Sequence, residues 1–174
     1  RRGDVPTKFP DVDLFFPKEK QPEPFRTYDQ IQAILARGGT DKRRERELWD
    51  GLFLDPKQVT EVLEHVRRKP NTKYLHPFLV TAAYTGARRA ELFRARVEAV
   101  VRAYFSADHP GGGFAFCSQA DRMLTDGQTW KAFRTGVRGS KWHVLRGYHA
   151  FRHSFASNLA AAGVDQRVID ELMG

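Results

Sequence analysis

The stretch Tyr148-His149-Ala150-Phe151-Arg152-His153-Ser154-Phe155-Ala156-Ser157-Asn158-Leu159, continuing through Gly163 to Gly174, constrains the fold of this chain more than any other. On a helix turning roughly 100° per residue, Phe151, Phe155, Leu159 and Ala162 fall within one arc of about 80°, and His149, Arg152, His153 and Ala156 within another of about 100°. One face is core and the other carries cations. Gly163 fits a helix C-terminus, Asp165 an N-cap, and Val168, Ile169 and Leu172 the apolar stripe of a second helix. Taken alone, the pattern describes an ordinary amphipathic helix pair with a solvated basic side.

Upstream, the residue types change. Pro6, Pro10, Pro17, Pro22 and Pro24, out of nine prolines in the chain, exclude a helix before Thr27. Residues 1–26 are expected to form an extended arm or linker that offers Lys8, Lys18 and Lys20 to phosphates, or a plain interdomain tether. The remainder, residues 27–174, is long enough for one domain with a real core.

Helical signals dominate that domain. Thr27 caps a segment running to Arg37, where Gly38-Gly39 ends it, and Arg43 to Asp50 is a charged, solvated helix or loop. Asp55-Pro56 opens a helix whose stripe is Val59, Val62, Leu63 and Val66, and the cations Arg67, Arg68 and Lys69 at its end suit the helix dipole. His76-Pro77 opens another, Phe78 to Tyr84, that runs into Thr85-Gly86-Ala87-Arg88-Arg89-Ala90-Glu91-Leu92, where Arg88 and Glu91 stand three apart and able to pair. Ala99 to Phe105 reads as a further helix, Asp108 to Gly113 as a loop, and Phe114-Ala115-Phe116 as a short strand. Thr125 to Val137 is a helix with Trp130 and Phe133 expected inward and Lys131, Arg134 and Arg138 outward. Beyond it, Gly136 to Lys141 is a basic loop whose Arg138, Ser140 and Lys141 are available to phosphate or to solvent.

Charge and cysteine usage narrow the classes. Lys plus Arg outnumber Asp plus Glu by 29 to 21, for a formal charge of +8, which favours a polyanionic partner without establishing one. Cys117 is the single cysteine, so there is no disulfide framework and no zinc ligand set, consistent with a reducing, cytoplasmic compartment. No apolar run is long enough for a membrane span and no secretory leader pattern occurs.

Two boxes carry a resemblance. Thr85-Gly86-Ala87-Arg88 through Glu91-Leu92 matches Thr-Gly-x-Arg-x-x-Glu-Leu, and His149-Ala150-Phe151-Arg152-His153 matches His-x-x-Arg-His, followed by Leu172-Met173-Gly174 in the place of a downstream Leu-Gly-His turn whose histidine is absent here. Together, in this order, they resemble the tyrosine recombinases, also called the phage integrase family, over roughly residues 25–174. The resemblance implies a mainly α fold with a small antiparallel β-sheet, the recombinase catalytic domain, incomplete at its C-terminus. The family's lysine-bearing hairpin after the first box has no counterpart, since no lysine lies between Glu91 and Lys131. A hairpin is therefore expected to be missing near residues 97–100, through a gap in the chain or a natural deletion. The family's nucleophilic tyrosine follows the last turn, whereas Tyr28, Tyr74, Tyr84, Tyr104 and Tyr148 all lie upstream, so the chain by itself is expected to be inactive.

Transesterification at a DNA phosphodiester needs cations on the non-bridging oxygens to hold the phosphorane, and arginine supplies them through a planar, permanently charged fork. By resemblance, Arg88 and Arg152 are that pair, His149 donates to the phosphate or handles a proton, Glu91 orients Arg88, and His153 supports. DNA contacts are expected from Arg88, Arg152, Arg138 and Lys141. His149 and His153 lack the glutamate and third ligand of a helical zinc site, and no glycine-rich phosphate loop occurs, so neither metal nor cofactor is implied. The function implied for the full-length protein is site-specific cleavage and rejoining of double-stranded DNA through a 3′-phosphotyrosyl link in a homotetramer, away from membranes. A catalytically inactive DNA-binding or regulatory relative is the competing expectation, and an unrelated basic interaction domain a third.

Overall fold

The computed structural model describes residues 25–69, 73–96, 109–120 and 122–174. The expectations for the proline-rich arm, for the helix from Ala99 to Phe105 and for a missing hairpin near 97–100 fall outside these residues.

Local chemistry sets the helix starts. Helix α1 (Tyr28–Ala36) begins at a reciprocal cap in which Thr27 Oγ1 accepts from the Gln30 N–H at 3.3 Å and Gln30 Oε1 accepts from the Thr27 N–H at 3.0 Å. The same box recurs as Asp55 with Gln58 at α3 (Pro56–Arg67), where Pro56 takes the first helical position, and as Thr125 with Gln128 at α6 (Asp126–Val137). Between them, α2 (Lys42–Asp50) is capped by Asp41, with only Leu48 and Trp49 buried. Helix α4 (Leu75–Thr85) carries Pro77 in its first turn, where a missing N–H costs no intrahelical bond. Gly86 ends it at φ 63°, and after a short link comes α5 (Arg89–Arg94).

Following α6, a 3₁₀ turn (Lys141–Val144) leads to α7 (His149–Ala161) and α8 (Gln166–Met173). The joint between these last two is a Schellman motif: the Gly163 N–H reaches the Ala160 carbonyl at 3.0 Å and the Val164 N–H the Leu159 carbonyl at 3.1 Å, with Gly163 at φ 79°. The glycine and aspartate punctuation anticipated for this turn is thus present.

The core lies where α3, α4, α6 and α7 pack together, on Leu75, Phe78, Leu79, Phe133 and Phe151. Phe78 is its hub, meeting Tyr148 at 5.1 Å and Phe116 at 5.4 Å in edge-to-face contacts. A fully buried phenylalanine of this kind contributes about 1.5–3 kcal/mol by burial alone. Gly136 lets α6 approach α4, because a Cβ there would stand 2.6 Å from Leu75 Cδ2.

Several expectations are corrected. The small antiparallel sheet is not found: among the described residues there are only isolated bridges, parallel at Arg26–Leu52 and antiparallel at Arg96–Phe114. The segment expected as a strand, Phe114-Ala115-Phe116, makes only that bridge, and Ala115, Phe116 and Cys117 are buried in succession. Trp130 points outward and is 50% exposed, while Phe133 alone of the expected pair enters the core. On α8 only Ile169 is buried, leaving Val168 and Leu172 45% and 54% exposed. On α7, likewise, Phe151 is fully buried, Phe155 and Leu159 partly so, and Ala162 exposed.

Candidate functional site: a two-arginine centre on helix α7

Gly86 is where the two boxes meet. Its left-handed backbone turns the chain from α4 toward α5, and a Cβ there would lie 2.5 Å from Phe155 Cδ1 and 3.1 Å from Met173 Sδ, so only glycine lets α7 and α8 close against this turn. Arg152, on α7, donates from Nη1 to the Gly86 carbonyl and from Nη2 to the Met173 carbonyl. Arg88, two residues past Gly86, donates from Nη2 to the carbonyl of Gly174. The two guanidinium groups, sixty-four positions apart in sequence (152 − 88), therefore donate to backbone oxygens of two consecutive residues, Met173 and Gly174, at the end of α8.

Glu91 acts on Arg88, but not as a side-chain ion pair. Arg88 is the N-cap of α5, and Glu91 Oε2 accepts its backbone N–H at 2.6 Å, which fixes the backbone that launches the guanidinium. His149 and His153 both lie on α7 beside Arg152. His149 is exposed and stacks on Tyr148 with ring centroids 5.8 Å apart. His153 is half-buried under Phe25, centroids 4.6 Å apart, and burial, then the charges of His149 and Arg152, push its pKa below the usual histidine value. A neutral imidazole flanked by a guanidinium is thereby favoured at that position.

What seats α7 was not singled out from sequence. Ser154 Oγ accepts the buried N–H of Leu54 at 2.8 Å, and Asn158, one turn on, donates from Nδ2 to the carbonyl of the same Leu54 at 3.1 Å. Both backbone polar groups of one residue in the α2–α3 connection are thus satisfied by one helix face, which fixes the rotation of α7 and hence the aim of Arg152. The signal lay in the polar residues Ser154 and Asn158, spaced i and i+4 on the face next to Phe151 and Phe155; only the fold names their partner.

Tyr148 belongs to the support as well. Its hydroxyl points to Asp126 Oδ1 at 3.4 Å, Asp126 Oδ2 pairs with Arg89 at 3.0 Å, and burial first, then Asp126, raise the phenol's pKa well above its ordinary value. That phenol is held protonated, unsuited to nucleophilic attack.

Arg138 and Lys141 are not brought to this centre. Asp126 at the start of α6 touches Tyr148 and Arg89, whereas Arg138 caps the other end of this twelve-residue helix, about 18 Å along its axis. Lys141 pairs with Glu61 at 3.0 Å and lies over the Trp142 ring at 4.7 Å. No cluster of three or more metal-ligating side chains occurs among the described residues, and no helix among them is long and apolar enough to cross a membrane.

Two arginines from separate elements are thus brought to the end of α8, with His149 and His153 on the same helix as one of them. Residues 99–174 match the model described as the phage integrase family. Members of this family are tyrosine recombinases, which perform site-specific recombination. The matched segment contains His149, Arg152 and His153 and begins after Arg88 and Glu91, which join the site through their motif and their position in the fold. No curated protein matches the chain.

Proposed function

We propose that this chain supplies the phosphate-binding part of a DNA strand-exchange active site, and that the full-length protein cleaves and rejoins double-stranded DNA through a 3′-phosphotyrosyl intermediate. The observation that carries this reading is the convergence of Arg88 and Arg152 on neighbouring acceptors. The two neighbouring oxygens, one bound by each guanidinium, mark where the non-bridging oxygens of a scissile phosphate would be held, and a phosphorane would gain more from two fixed cations than the ground state does.

On this reading Arg88 and Arg152 bind and polarise the phosphate, His149, the exposed imidazole beside them, donates to it or moves a proton, and Glu91 and His153 position the two arginines. The nucleophile on this reading is a tyrosine other than Tyr148, whose hydroxyl is committed to Asp126. Neither a metal nor ATP is required by this chemistry. Arg138 and Lys141 contact the DNA backbone away from the scissile phosphate, and the working assembly is a homotetramer on DNA.

The test is a suicide duplex incubated with the full-length protein. A covalent protein–DNA adduct that disappears in Arg88→Ala and Arg152→Ala while the duplex is still bound supports strand cleavage. Tight duplex binding with no adduct from the intact protein identifies the inactive DNA-binding relative instead.

A further inference from the structure

The outer face of α6 and its neighbours form a second charged surface. Trp130 stands half exposed at its centre, with the Arg134 guanidinium 4.8 Å from its ring centroid. Around it, Lys131 and Arg138 from α6, Arg46 from α2 and His143 from the 3₁₀ turn line two adjoining clefts of 540 and 330 Å³. All four of these flanking side chains are exposed. Among the described residues no carboxylate pairs with Arg46, Lys131, Arg134 or Arg138, whereas nearby cations are matched, Arg146 by Asp50 at 3.1 Å and Lys141 by Glu61 at 3.0 Å.

Four unmatched cations repel one another, and a large indole left half in water forgoes burial that the core gives Trp49 and Trp142, which are 8% and 1% exposed. Both fit one ligand chemistry: a phosphate backbone for the cations and a planar base for the indole. An acidic peptide would use the charges and leave the ring idle. The location agrees, because α6 starts at Asp126, in contact with Arg89 and Tyr148 next to the two-arginine centre, and then extends about 18 Å, the reach of several nucleotides.

We propose that this cleft is a second nucleic-acid site, which takes an unpaired stretch of the DNA strand, its phosphates on Arg46, Lys131, Arg134 and Arg138 and one unstacked base on Trp130. It extends the DNA-acting reading above and does not depend on catalysis.

Tryptophan fluorescence tests it directly, since Trp130 is the one exposed indole of the three and the wild-type chain reports without substitution. At low salt, a short duplex with an unpaired tail is expected to quench emission strongly and a blunt duplex weakly. Trp130→Leu is expected to lower affinity for the tailed duplex about tenfold and for the blunt duplex less than twofold. Arg134→Ala and Arg46→Ala are each expected to reduce the log–log salt slope by about 0.7. Absence of quenching by the tailed duplex, equal losses on both duplexes, or quenching by poly-glutamate as strong as by DNA would overturn the proposal. The two readings fail separately: quenching that survives Arg88→Ala and Arg152→Ala, with blunt-duplex affinity unchanged by them, upholds this cleft and removes the two-arginine centre. A blunt-duplex loss in those variants with no wild-type quenching does the reverse.

Discussion

Arg88 and Arg152 donate to the carbonyls of Gly174 and Met173, two successive residues, although one arginine precedes α5 and the other lies within α7. On the reading proposed above, the two groups would hold a phosphate between them. Replacing either arginine by alanine is expected to reduce duplex affinity at low salt and to flatten the log–log salt dependence by about 0.9 for each phosphate no longer neutralised. Fluorescence anisotropy across a salt series measures this; an unchanged slope would mean that neither side chain meets phosphate.

Replacing Gly86 by alanine strikes the same centre through the backbone. The new Cβ would meet Phe155 at 2.5 Å in a left-handed conformation, which alone costs about 1–2 kcal/mol for a non-glycine residue. A Tm several degrees lower, together with weaker DNA binding, is expected in calorimetry and anisotropy, because the Arg152 acceptor moves with the turn.

The clamp on Leu54 predicts a graded pair of variants. Ser154→Ala leaves the buried Leu54 N–H without its acceptor and is expected to cost about 1–3 kcal/mol. Asn158→Ala removes the bond to the same residue's carbonyl, and the double variant should lose less than the sum, since both side chains hold one residue's backbone. Urea denaturation of the single and double variants measures the coupling.

His153 sets a pH dependence. Its folded pKa lies below the ordinary value of about 6.5 because burial and the neighbouring His149 and Arg152 disfavour the imidazolium. The unfolded chain therefore binds more protons just below that value. The stabilising contribution is present above about pH 6.5 and is lost as pH falls toward the folded pKa. His76, lowered by burial and by Arg67, adds in the same direction. Denaturant midpoints measured from pH 8 to pH 5 should decline, and His153→Gln should remove part of that decline; a flat profile in the parent protein would contradict the assigned burial.

Helix positions and the two boxes could be read directly from residue order. Thr27 with Gln30, Asp55 with Pro56 and Thr125 with Gln128 are caps that act within four residues, so their outcome needs no tertiary information. The same holds for Gly86 and Gly163, where a single backbone conformation is at stake. Trp130, Val168 and Leu172 went the other way: periodicity gives each a face, but only the neighbouring elements determine whether that face is covered. The expected strand at Phe114 failed for a similar reason, since a strand needs a paired neighbour, and among the described residues Phe114 meets only Arg96, in an isolated bridge.

By itself, then, the sequence determined the helices, their ends and the identity of Arg88, His149, Arg152 and His153 as a set belonging together by motif. Tertiary structure decided what those groups face: that Glu91 holds a backbone N–H and not a guanidinium, that Leu54 sets the rotation of α7, and that Arg138 lies at the far end of α6 from the arginine pair. The division is physical. Capping and helix propensity act over a few residues, whereas the direction of a long, flexible arginine is fixed by acceptors and packing partners that only the folded chain brings within reach.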